Sequence, residues 1–117
     1  MTLTTTDLLN FDGVGVGITP TYADCCAPPD TNLAIGATQV VQWVNLDFAA
    51  FDKATGALLS GPTAGNSVWA GFSGGNCATN NDGDPIVQYD KLAGRWVMTQ
   101  FSVTGGPPYF QLSLIHI

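Results

Sequence analysis

Residues 80–101 hold the stretch that most limits what this chain can become. Asn80, Asn81, Asp82, Gly83, Asp84 and Pro85 form a run of turn formers. Ile86, Val87 and Tyr89 then supply β-branched and aromatic residues. Residues 91–94 interrupt the pattern, and Trp96, Val97, Met98 and Phe101 resume it. This is a turn, a strand, a four-residue turn and a second strand. In the second strand apolar residues fall on both parities, with Trp96 and Met98 opposite Val97 and Phe101. A strand in a one-sided sheet alternates more cleanly, so this one is expected to be packed on both faces.

The rest of the chain agrees with an all-β reading. All nine acidic residues are Asp, Glu is absent, and Lys53, Lys91 and Arg95 are the only Lys or Arg. Glu and Lys populate helix surfaces, whereas Asp prefers turns and caps. Fourteen Gly and seven Pro point the same way. Further strands are expected over residues 39–45 and 47–52, with a hairpin turn at 53–56 leading to Ala57, Leu58 and Leu59, and a short strand over 66–72. Residues 11–17 read as a loop or short strand and 20–32 as irregular.

Two of these hairpins echo each other. Residues 47–56 and 85–94 both run strand, aromatic, Asp, Lys, two residues, Gly, with Asp52 and Asp90 38 positions apart. That interval is close to a propeller blade repeat of roughly 40 to 50 residues.

Charge excludes some partners. A net charge of −6 with three scattered cations gives no footprint for nucleic acid. No apolar run approaches the roughly 20 residues that span a bilayer, so no membrane span is expected. Residues 1–10 lack the basic start and apolar centre of a signal peptide and read as a disordered lead-in.

Residues 112–117, Leu-Ser-Leu-Ile-His-Ile, look like the translated end of a sequencing-library adapter. On that reading they form an artefactual tail, and His116, the sole histidine, carries no function. The domain proper is then expected over 11–111.

Three stretches, taken together, resemble a group of secreted bacterial proteins with sialidase-like β-propeller cores. They are residues 27–36, residues 38–45, and residues 79–90 with 95–101. The resemblance implies an extracellular, incomplete β-propeller of one to three blades, an N-terminal piece of a longer protein. A small β-sandwich is the alternative fold. The resemblance also implies a cysteine just after Gln111 as partner for Cys77. Leu33 stands where a glycine is more usual, and the doubled Cys25-Cys26 departs from the group's pattern.

The residues themselves leave the disulfides open. Cys25, Cys26 and Cys77 are an odd set, and adjacent cysteines rarely bridge each other. Asn80, Asp82 and Asp84 alternate as oxygen donors and are a candidate calcium loop, although Pro85 and Lys91 stand where an EF-hand needs Gly and Glu. Turn chemistry, in which Asn and Asp side chains bond nearby amides, is the competing account. No other cofactor is expected.

A catalytic set would have to come from Asp82, Asp84, Tyr89, Asp90 and Arg95, and one arginine is too few for a site that clamps a carboxylate. No catalytic residue is assigned. Trp43, Trp96, Tyr89 and Asp90 read as structural, with Trp69 as a further core candidate. The expected function is a non-catalytic binding or structural module that recognises a glycan or an extracellular protein. The alternative is the N-terminal part of a secreted glycoside hydrolase or sialidase-like enzyme whose catalytic residues lie downstream.

Overall fold

The computed structural model describes residues 8–15, 26–73 and 75–103 and the backbone of 109–115. The protein is all-β. Among the described residues seven strands, β1 (Asn32–Ile35), β2 (Gln39–Val44), β3 (Asp47–Asp52), β4 (Leu58–Ala64), β5 (Ile86–Asp90), β6 (Arg95–Ser102) and β7 (Tyr109–Ile115), form two antiparallel sheets in the orders β1-β2-β3-β4 and β5-β6-β7. Each sheet is a meander, in which every strand pairs with its neighbour in sequence.

Period-two patterning divides the first sheet into two apolar faces. Val41 and Trp43 of β2 and Phe48 and Ala50 of β3 join Trp69, Val87, Trp96 and Met98 in the core between the sheets. Val40 and Val44 of β2 and Ala49 and Phe51 of β3 face the other way, with Val14 and the half-buried Phe11 packed on them. Val14 also donates its backbone N–H to Gln42 Oε1 at 2.6 Å, which fixes the 11–15 segment across that face.

The two-sided packing expected of β6 therefore belongs to β2 and β3. In β6 burial alternates: Trp96, Met98, Gln100 and Ser102 are buried, while Val97, Thr99 and Phe101 are half-buried. Trp96, at 2% exposure, is among the most buried side chains, as its setting demands.

Both hairpin turns fall where the sequence puts them. β3 and β4 flank 53–56, and β5 and β6 flank 91–94. β4 continues through Pro62 to Ala64 and pairs with β3 irregularly. A proline and a bulge on an outer strand leave little edge for another chain to extend. The strand expected over 66–72 is instead a short 3₁₀ turn, Gly65–Trp69. The Trp43 ring lies so close over Gly65 that no side chain fits there, and the chain turns to bring Trp69 into the same core. Asn32, which the sequence reading places at the end of an irregular segment, instead begins strand β1, Asn32–Ile35, a strand not expected from the sequence.

The stretch 112–115 lies on β7, paired with residues 96–99 of β6. His116 and the lead-in residues 1–7 lie outside the described residues. Among the described residues no helix is long and apolar enough to cross a membrane.

Candidate functional site

The polar residues singled out in the sequence fall into two groups, the loop before β5 and the two hairpin turns.

The first group is the loop 76–84. Asn76 O accepts from the backbone N–H of Thr79 and of Asn80. Asn81 bridges to the first sheet: its Nδ2 donates to Leu46 O at 2.9 Å, and its Oδ1 accepts from the Asn66 N–H at 3.2 Å. Asn66 Nδ2 returns a bond to Ala78 O. On the other side, Asn80 Nδ2 donates to Ser102 Oγ and Gln100 Nε2 donates to Asn80 O. Asp82 Oδ2 accepts from the Val103 N–H at 2.7 Å, and the Phe101 N–H reaches Gly83 O.

The side chains of Asn80 and Asp82 are thus turned onto the end of β6. Asp84 stands exposed in the left-handed region, at φ 48°. Among the described residues no group of three His, Cys, Asp or Glu comes together in a way that could hold a metal ion. What the loop does chemically is satisfy backbone groups at the seam of the two sheets, which are costly to leave unpaired.

The second group is the pair of hairpin turns. In both, the aspartate before the turn caps it. Asp90 Oδ1 accepts from the N–H groups of Leu92 and Ala93 at 2.9 and 3.0 Å. Asp52 Oδ1 accepts from the N–H groups of Ala54 and Thr55 and from the Thr55 hydroxyl. Those bonds hold the Asp52 carboxyl below its ordinary range, the Thr55 hydroxyl contributing most. Each turn closes on a glycine in the left-handed region, Gly56 at φ 73° and Gly94 at φ 64°, where a side chain would be strained.

The repeated motif is therefore one turn built twice. It joins the third and fourth strands of one sheet and the first and second of the other, so the 38-residue interval does not superpose sheet on sheet.

The candidate catalytic residues are not brought together. Asp90 and Arg95 face each other at the start of β6, with Tyr89 tilted against Trp96 beside them, ring centroids 4.9 Å apart. Asp82 and Asp84 lie at the other end of that hairpin, Asp84 roughly 20 Å from Asp90 at about 3.4 Å for each of the six steps between them along the chain. Paired carboxylates in glycoside hydrolysis stand about 5 to 10 Å apart.

The tryptophans are core rather than platforms. Trp43, Trp69 and Trp96 are all buried, and the Trp43 indole N–H is satisfied by Asn45 O at 3.1 Å. Asn45, itself buried, donates from Nδ2 to Cys26 O. Cys26 is disulfide-bonded, whereas Cys77 is a free, half-buried thiol against the core, so those two are not joined. Cys25 lies outside the described residues.

One group escaped the sequence reading. Asp47, at the start of β3, is half-buried, and the loss of solvent pushes its carboxyl above the ordinary range. Nothing in its sequence neighbourhood separates it from the surface aspartates.

Set beside known proteins, the chain is matched by no protein-family model, no curated protein and no solved structure.

Proposed function

We propose that this chain is a non-catalytic binding or structural module of an extracellular β-propeller protein, recognising a glycan or a protein partner. The observation that carries the reading is where the reactive side chains are spent. Asp52 and Asp90 cap turns, Asp82 and Asn81 tie the loop to the two sheets, and the three tryptophans fill the core. Little chemistry is left over for a substrate.

The propeller part of the proposal draws on the first sheet. A sandwich sheet has one inner face, whereas a blade is covered on both, and β2 and β3 are buried on both. The disulfide at Cys26 supports an oxidising, extracellular setting.

The test is hydrolysis of fluorogenic glycosides, sialosides included, by the purified chain. The expected result is no turnover above buffer. Turnover that disappears in Asp82→Asn or Asp90→Asn would overturn the reading.

A further inference from the structure

The chain has three cysteines, Cys25, Cys26 and Cys77. Cys26 is disulfide-bonded and Cys77 is a free thiol. Cys25 lies outside the described residues, yet by elimination it is the only cysteine of the chain left to hold Cys26. Consecutive Cα atoms stand about 3.8 Å apart, whereas most disulfides span roughly 4.4 to 6.8 Å. A bridge between neighbours therefore closes a small ring under strain, and strain makes a disulfide easier to reduce. Cys26 is also exposed, so a small thiol in solution can reach it.

Next to this exposed residue is a buried corner. Cys26 O accepts from Asn45 Nδ2 at 2.9 Å. Asn45 is 3% exposed and lies in the left-handed region, at φ 50°, in the turn between β2 and β3. Its own carbonyl takes the Trp43 indole N–H at 3.1 Å. The next residue, Leu46, accepts from Asn81 Nδ2 and from the Gly65 N–H. The turn thus fastens the loop 76–84 on one side and the Trp43 ring, in the core between the sheets, on the other.

Ring closure connects bridge and corner. A bond between neighbouring cysteines takes the N–Cα bond of Cys26 into the ring and so fixes φ there. That angle decides where the Cys26 carbonyl is carried, and this carbonyl is the acceptor for Asn45. Once the ring opens, the rotation is released, and holding the carbonyl against Asn45 costs conformational entropy. A buried amide that loses its acceptor carries a desolvation penalty.

We propose that Cys25 and Cys26 form a vicinal disulfide that serves as a thiol-reactive site, and that its reduction loosens the Asn45 corner. The reductant is a small thiol, of which two molecules are consumed. The first, as thiolate, attacks one sulfur of the bridge; the S–S bond breaks and a mixed disulfide forms. The second attacks the small-molecule sulfur of that mixed disulfide and releases the cysteine. Two cysteine S–H groups and one small-molecule disulfide result, so two electrons and two protons pass to the protein. The inference does not rest on the propeller reading.

Thiol counting and peptide mapping of the full chain test the pairing. In non-reducing denaturant only Cys77 should react with an alkylating agent, and all three cysteines should react after reduction. Trypsin cuts after Lys53 and Lys91, so one peptide, 1–53, carries both Cys25 and Cys26 and another, 54–91, carries Cys77. The 1–53 peptide should emerge unlinked and unalkylated. A 1–53 peptide linked to 54–91, a disulfide-linked dimer, or three reactive thiols before reduction overturns the pairing. The reactivity is tested by adding dithiothreitol to the folded chain. Cys25 and Cys26 should be reduced without denaturant, the melting temperature should fall by about 5 °C or more, and exchange of the Trp43 indole proton should speed up. Cys25→Ser should melt like the reduced parent and ignore dithiothreitol; if that variant fails to fold, the parent with and without reductant decides. A bridge that resists dithiothreitol in the folded chain overturns the proposal, and so does a reduction that leaves melting and exchange unchanged.

Discussion

Trp96→Ala removes the side chain on which the two sheets meet. The ring is 2% exposed, packs against Tyr89 tilted by 57°, and lies so close to Gly36 that no β-carbon fits between them. An aromatic side chain in such a place buries on the order of 150 to 250 Å². At about 25 cal/mol per Å² the transfer loss alone reaches roughly 4 to 6 kcal/mol before the alanine left behind is credited. Partial collapse of the neighbours brings the expected cost to about 3 to 5 kcal/mol. Small domains hold about 5 to 15 kcal/mol in total, so the variant should be marginal. The assay is urea unfolding followed by the fluorescence of Trp43 and Trp69, which the substitution leaves in place. With a slope of about 1 kcal/mol per molar urea, the midpoint should fall by roughly 3 M or more. Trp96→Phe keeps a ring on Tyr89 and should recover much of the loss. A cost below about 1 kcal/mol for Trp96→Ala would refute the placing of this ring at the centre of the core.

Other outcomes follow from the same structure. Gly65→Ala drives a methyl into the Trp43 ring and should cost about 1 to 3 kcal/mol by overpacking, read by the same unfolding assay. Asn81→Ala removes two hydrogen bonds between loop and first sheet and should cost about 1 to 3 kcal/mol; hydrogen exchange at the Asn66 amide should speed up with it. Asp47 has a folded-state pKa raised by desolvation, so its charged form opposes folding at neutral pH and the penalty disappears as pH falls through the folded and then the unfolded value. Asp47→Asn should therefore raise the unfolding midpoint at pH 7 and leave it unchanged near pH 3. Calcium should not shift the melting temperature, because Asn80 and Asp82 are turned onto the end of β6; a rise on its addition would restore residues 80–84 as a calcium loop.

The strands with dense β-branched and aromatic residues were legible, and so were both hairpin turns. Asp, Gly and a four-residue gap specify that turn locally, wherever it sits in a sheet. The position of those turns was not legible, because a turn motif carries no record of which strand it follows. β4 runs on through Pro62 to Ala64, beyond the Leu59 where the sequence reading stops, since a proline on an outer strand removes no ladder bond that the sheet needs. Trp69 made 66–72 look like a strand, although its burial is decided by Trp43, which is remote in sequence. Asn80, Asp82 and Asp84 looked like a calcium loop for a similar reason. Alternating Asn and Asp serve a cation and a backbone seam equally well, and only the position of Leu46, Ser102 and Val103 around them tells the two apart.

The seam made by that loop also bears on the order of folding. Within each sheet every strand pairs with its sequence neighbour, so each meander closes through short loops and can form early. Docking of the sheets depends on contacts of another kind, such as the bond from the Val87 N–H to Asn32 Oδ1, which spans 55 residues at 2.7 Å. Closing so long a loop costs entropy before any contact rewards it. Until the sheets dock, Trp43 and Trp96 have no facing sheet to bury them. A change at Asn81 would act on that last step, slowing the meeting of the sheets while leaving the speed of each meander untouched.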